Sequence, residues 1–522
     1  MTSTGFRVTY ATMTADDADL HAAYEEGIEE AQRRLGGDHL LLVNGRERAG
    51  SGWHLERSPI DDDIAVGRFA QATPDDVDDA MAAARSYAPA WAATPWQERV
   101  ALLMRAADLI SEERFPLAAV MAYEVGKNRL EALGDVEESA DLIRYYCHEM
   151  EANDGFSQPM GRLSPAEATF DVMRPYGVWA VISPFNFPMA LAAGPVGAAL
   201  VAGNTVVLKP SNTGALCGLH LARILLEAGV PPGAFHILTG AGSSVGAALV
   251  SHPDVNGITF TGSYQVGMSI YRTFATEWPK PAICEMGGKN PVVVARSADL
   301  DLATDGIMRS AFGYGGQKCS AASRVYVHHD LSDDLISGLS EKAESIVVGD
   351  PLRRDVYLGP VIDGAAVARY VEAVDEAKAS GDVHSGGSVL TEGPLARGHF
   401  VSPTVVSADP SSWLWRRELF VPFVAVAPVS DLDEGLDRAN DTEYGLTAGF
   451  FGDDPEEIDR FLARIEAGVV YVNRRAGATT GAWPAVQPFG GWKGSGTSGK
   501  AGGGPYYVTQ YLREQSRTIV GH

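Results

Sequence analysis

Apolar residues recur at helical spacing through residues 75–153, as in VALLMRAADLI and ADLIRYY, and predict a helical layer of three or four segments broken near Pro89, Pro95 and Gly126. From FDVMRPYGVWAVI onward the pattern changes. Short β-branched runs (VWAVI, NTVVL, AFHIL, GITF, PAICE) alternate with amphipathic stretches of about 10 to 18 residues, the length of α/β crossover helices. This alternation predicts a parallel sheet with helices on both faces. After Glu285 it restarts with PVVV, a helix over residues 302–312, RVYV, two further helices, and FVAVAP, TAGFF and VVYVN, which predicts a second α/β domain. Ahead of both, residues 16–35 read as an acidic helix stopped by Gly36 and Gly37, and LLLVNGRER reads as a strand and turn; together they suggest an N-terminal arm.

Composition agrees with this reading and narrows the partners. A chain of 522 residues with 45% hydrophobic content supports two or three ordinary cores. Its start lacks a basic segment followed by an apolar run, and its longest apolar stretch, 189–203, is interrupted by Gly194, Pro195 and Gly197. Neither a signal peptide nor a membrane span is expected. Four widely spaced cysteines without a CxxC pair imply neither a disulfide scaffold nor a zinc site, so a reducing cytoplasm is the expected compartment and no metal is assigned. The 67 acidic and 42 basic residues leave a formal charge of -25, which disfavours nucleic acid and anionic membranes. Only nine of the basic residues are lysine, and this acid-rich, lysine-poor balance suggests a halophilic surface suited to a salt-rich cytoplasm.

The candidate chemistry lies at the strand ends and in one loop. In FGYGGQKCSAASR, Cys319 is flanked by small residues that let a substrate carbon approach its sulfur, and Lys318 beside it can favour the thiolate. A lone cysteine is more often a small buried hydrophobe, so partners must be sought elsewhere. VWAVI leads into SPFNFP, a proline-bounded turn that presents the amide of Asn186 to a developing oxyanion, although ordinary turn chemistry also uses asparagine. NTVVLKPS puts Lys209 and Ser211 just past a strand's carboxyl end, where open α/β sheets bind ligands. FTGS places Gly262 and Ser263 before a helix whose first amides can hold a phosphate. GAGSSVG lacks the dinucleotide spacing and is read as a turn. ICEMGGKN offers Glu285 as a base, with two following glycines giving the backbone freedom for it to swing.

Taken together and in order, SPFNFP, KPS, FTGS, EMGGKN, GQKCSA, ELF-x-P and QPFGG resemble the aldehyde dehydrogenase superfamily over nearly the whole chain from about Val43. The resemblance implies an α/β fold with a Rossmann-type NAD(P)-binding domain (43–157 and 176–285), an α/β catalytic domain (286–490) and a small oligomerisation segment (158–175 and 491–522), after an arm over 1–42. It implies Cys319 as nucleophile, Asn186 with the Cys319 N–H as oxyanion hole, and Glu285 as general base. The implied cofactor is NAD, with NADP possible, held by Lys209, Ser211, Gly262, Ser263, Glu418 and Phe420; Lys289 is implied as a supporting lysine. Within the family the chain is most similar to the glutamate γ-semialdehyde (1-pyrroline-5-carboxylate) branch, on YEVGKN, GQKCSAASR and TTGAWPAVQPFGGWKGSG. That branch implies Lys318, Ser320 and the amides of Gly481 and Ala482 as receivers of the substrate carboxylate, and Glu138 as partner of its ammonium. Other aldehydes remain the alternative substrates. A homo-oligomer is expected from YYVTQYLREQS, which resembles the family's exchanged strand.

Overall fold

The computed structural model describes residues 18–476 and 483–521. Five parallel strands form the centre of a first seven-stranded sheet, in the order Ala282–Glu285, Gly257–Thr261, Val178–Ile182, Thr205–Lys209, Phe235–Ile237; the hairpin Leu41–Val43 and Arg46–Arg48 extends it antiparallel. Period-2 alternation in these strands feeds two cores. Trp179, Val181, Val206 and Leu208 pack with helices α3 (Trp96–Glu112), α6 (Ala190–Ala202) and α7 (Ala215–Glu227). Val178, Ala180 and Val207 pack on the opposite face with α2 (Pro74–Ala93) and the helix Tyr264–Thr273. α1 (Ala18–Arg34) lies against α4 (Arg114–Val125), which leads into α5 (Arg129–Ala152).

A second seven-stranded sheet runs Gly381–Ser385, Thr404–Ala408, Phe423–Val429, Ala322–His328, Asn290–Val294, Thr447–Phe451, Val469–Val472, with only the first pair antiparallel. The carboxyl ends of the first sheet (Ile182, Lys209, Thr261, Glu285) face the amino ends of the second (Asn290, Ala322, Phe423, Thr447). Loops from both sheets meet in the seam between them, as where Asn186 donates to Gln317 O. A third sheet joins the last strand, Leu512–Val520, to Glu167–Pro175 and Ser157–Pro159. Just before that strand, Tyr511 packs its ring 4.5 Å from that of Trp179 in the first sheet.

Pro89 does not break the chain as expected; it lies inside α2. It and Arg85 are both exposed, so water can take the carbonyl that loses its hydrogen bond there. Among the described residues, no helix is long and apolar enough to cross a membrane.

Two buried carboxyls connect this frame to pH. Glu56, on the strand Trp53–Ser58, is buried beside Glu124 of α4, and burial followed by the Glu124 charge holds its carboxyl well above the usual range. Burial raises Glu124 from 4.5 to about 7, although it accepts hydrogen bonds from the N–H groups of Leu216 (2.6 Å) and Cys217 (3.0 Å) at the start of α7. Folding therefore keeps protons on both groups that the unfolded chain releases above 4.5, and the stability so gained is lost as pH rises toward and past the folded values. The Tm should fall between about pH 5 and about pH 8, and Glu56→Gln should flatten that slope. An identical slope in Glu56→Gln would remove Glu56 as a source of the loss.

Candidate active site

The helix Leu300–Phe312 ends in a left-handed turn through Tyr314 (φ +50°), Gly315 and Gly316. A Cβ on Gly316 would come within 2.3 Å of the Val421 carbonyl oxygen, which requires glycine there. Tyr314 tolerates its strained backbone because its ring is buried and its hydroxyl donates to the Val125 carbonyl at 2.8 Å. Gln317 is fully buried: its amide nitrogen donates to Pro360 O, and its amide oxygen accepts from Ile362 N. The Cys319 carbonyl accepts from Asn290 Nδ2 at 2.7 Å. Asn186 sits within reach of this loop, donating from Nδ2 to Gln317 O at 3.1 Å. One N–H of the Asn186 amide is thus engaged, and Asn186 lines a cavity together with Cys319.

Cys319 lies on the walls of two cavities. One is a cleft of about 900 Å³ lined by Asn186, Lys209, Ser211, Gly262, Ser263, Glu418 and Phe420, bringing together every residue expected at the cofactor site. The other is a chamber of about 110 Å³ that includes Glu138, Glu285 and Ser320 among leucine, tryptophan and tyrosine side chains. The cleft suits an extended dinucleotide and the chamber a small molecule. In the cleft, Ser263 caps the helix Tyr264–Thr273, leaving that helix's first amides toward the opening. Lys209 Nζ donates to Pro210 O at 2.8 Å, and burial lowers its pKa to about 8. Gly242, from the glycine-rich stretch read as a plain turn, lines the same cleft. These groups fit NAD: lysine and hydroxyls for ribose oxygens, helix amides for phosphate, all at strand carboxyl ends.

Burial dominates the electrostatics. It raises Glu285, at the end of its strand, to about 8. Glu418 is raised to about 7 by burial although it accepts from Gly288 N at 2.9 Å. The Cys319 thiol is pushed up to about 12, first by burial and then by the charges of Glu418 and Glu285. Burial lowers Lys289 to about 7.

Three expectations require correction or fall outside the described residues. Lys318 does not stand free beside the sulfur; its Nζ is buried and paired with Glu131 at 2.7 Å, because the turn before Cys319 points it toward the helical layer. Gly287 and Gly288 serve close approach rather than swinging: a Cβ on Gly287 would lie 2.1 Å from Glu418 Oε2, and one on Gly288 2.5 Å from Cys319 O. Gly481 and Ala482 lie outside the described residues. The sequence reading missed the chamber's apolar walls: Leu142 and Tyr146 stand four and eight residues beyond Glu138 on α5, so helical spacing from Glu138 was the available signal. Trp483, which donates to Asp141 Oδ2 at 2.8 Å, carried no such signal.

The family model for the aldehyde dehydrogenase family matches residues 54–516. The chain is 37% identical over 504 residues to 1-pyrroline-5-carboxylate dehydrogenase 1 of Halalkalibacterium halodurans, covering 95% of each. It resembles the crystal structure of 1-pyrroline-5-carboxylate dehydrogenase from Thermus with bound NAD at a TM-score of 0.94 and 33% identity, covering 100% of both chains. It also resembles proline utilization A of Bdellovibrio bacteriovorus, inactivated by N-propargylglycine, at a TM-score of 0.91 and 38% identity; 96% of this chain matches and spans 52% of that one. With its cysteine, amide and carboxylate gathered on one seam and these matches over almost its full length, the chain belongs to the aldehyde dehydrogenase family.

Proposed function

We propose that this chain oxidises L-glutamate γ-semialdehyde, the open form of 1-pyrroline-5-carboxylate, to L-glutamate with NAD, in proline catabolism. One observation carries the reading: Cys319 lies on the wall of both the cleft and the chamber, so a carbon bonded to its sulfur is reached from the cleft on one side and from the Glu285 chamber on the other.

The chemistry follows from the groups present. The Cys319 thiol passes its proton to water as the sulfur bonds to the aldehyde carbon, and the former carbonyl oxygen becomes an oxyanion. In this reading the amide of Asn186 and the backbone N–H of Cys319 hold that charge. Bound in the cleft by Lys209, Ser211, Gly262, Ser263, Glu418 and Phe420, NAD supplies the two-electron acceptor. Asn212 lines the cleft without a charge that would repel a 2′-phosphate, so NADP also fits. Glu285 then removes a proton from water, the water oxygen adds to the thioester carbon, and the sulfur leaves as the acid is released.

A free amino acid aldehyde brings two charges that need partners once water is displaced. Glu138 on the chamber wall answers the ammonium and Ser320 the carboxylate, with the amides of Gly481 and Ala482 as further receivers.

The chain also acts as a homo-oligomer in this reading. Leu512–Val520 and Val469–Val472 are outer strands of their sheets among the described residues, and Ile519 and Val520 are exposed. A second copy would cover such edges. Light scattering should give a multiple of the monomer mass, lowered by removing residues 513–522; an unchanged mass in the shortened chain rules this out.

Cys319→Ala should abolish NADH production while NAD binding persists. Glu138→Ala should weaken turnover of the semialdehyde far more than that of propanal. Equal loss on both aldehydes would reduce the reading to an aldehyde dehydrogenase of another substrate. A base raised to about 8 must be deprotonated to act, so turnover limited by thioester hydrolysis should climb through that pH and level off above it. Glu285→Gln should lose that limb, and a variant that kept it would remove Glu285 from the base role.

A further inference from the structure

The run YEVGKN (residues 123–128) lines neither cavity, yet its residues hold backbone that leads to Asn186 and Cys319. Glu124 caps the first amides of α7, whose preceding residue, Gly214, abuts Phe185 and Pro188. The Val125 carbonyl takes the Tyr314 hydroxyl. Gly126, left-handed at φ +74°, packs on Pro360, whose carbonyl accepts from the Gln317 amide.

Lys127 has the most direct connection. Its Nζ is fully buried, donates to Asp135 Oδ2 at 2.7 Å, and stands 3.6 Å from the centroid of the Phe187 ring. The other oxygen of Asp135 accepts from Ala190 N at 2.8 Å, at the first turn of α6. Asn186 therefore has a ring held by a cation immediately after it and a capped helix start four residues on. Upstream, Ser183 N donates to Lys209 O at 3.1 Å. Taking both charges of a pair out of water is unfavourable, and an apolar pair of similar volume would pack the core at least as well. What the charged pair adds is geometry: a cation fixed over one ring face and an oxygen fixed at one amide.

Resting on the reading of Asn186 as oxyanion donor, we propose that the buried Lys127–Asp135 pair is the positioning element of the oxyanion site, setting where the Asn186 amide stands relative to the Cys319 sulfur. A shift of the donor by a fraction of an ångström weakens oxyanion stabilisation without touching cofactor binding.

The test is a double-mutant cycle on the full-length enzyme. Asn186→Ala should lower kcat by about 10² to 10³, the scale for losing one oxyanion donor. Lys127→Met should lower kcat by about ten-fold with the KM for NAD unchanged, and that loss should shrink to within about two-fold in the Asn186→Ala background, where no amide is left to misplace. Asp135→Asn, which keeps an oxygen for Ala190 N and removes the charge, enters the same cycle and decides the matter if Lys127→Met does not fold. Equal fold-losses in both backgrounds, or no loss in the native background, overturn the positioning role and leave the oxyanion reading intact. A normal kcat in Asn186→Ala removes the oxyanion reading itself.

Discussion

The side chain of Asn290 holds the active-site seam together. Its nitrogen donates to the carbonyls of Cys319 and Ala321 at 2.7 and 2.9 Å, and its oxygen accepts from Thr447 N at 3.1 Å. A nucleophile flanked by small residues has little side-chain bulk with which to fix its own position. That position must come from backbone hydrogen bonds, and a buried amide that uses both donors and an acceptor specifies it more tightly than packing does. The first sheet then contributes Asn186 and Glu285 to a point that the second sheet has already fixed.

The electrostatics follow from the same burial. Glu285 and Glu418 rise toward neutrality because the low-dielectric seam disfavours their charged forms, as burial in the helical layer does for Glu124. The -25 charge of the chain is thus carried outside the groups that do the chemistry. A carboxyl raised to about 8 exchanges protons with water far more evenly than an ordinary surface glutamate would at neutral pH.

Strands were legible because they are short β-branched runs buried on both faces between amphipathic stretches, and the cleft was legible because its residues follow strand ends in short, local motifs. Long-range geometry was not. Lys318 looked like a partner for the sulfur on adjacency alone, but three left-handed residues before it send its side chain to Glu131, 187 positions away in sequence. Gly287 and Gly288 looked like a hinge, whereas the space they leave is filled by Glu418 and the Cys319 carbonyl, neighbours that no local window contains. YEVGKN carried a family likeness without a visible task, because its contacts fall on α6, α7 and the cysteine loop. Pro89 misled because proline's cost depends on whether water can reach the carbonyl it orphans, a property of the folded surface.

The contact between Trp179 and Tyr511 has a consequence for how the molecule is made. The indole N–H donates to Thr259 Oγ1 at 2.9 Å, and that hydroxyl lies 3.0 Å from the Tyr511 hydroxyl, so the centre of the first sheet is completed by a residue near the end of the chain. The whole second sheet is synthesised between these two rings. During translation the first sheet can assemble its strands, with Tyr176 edge-on to the tryptophan, but the Tyr511 ring arrives only after the second sheet has been made. Completion of this contact therefore waits until the second sheet, which lies between the two rings in sequence, has been made.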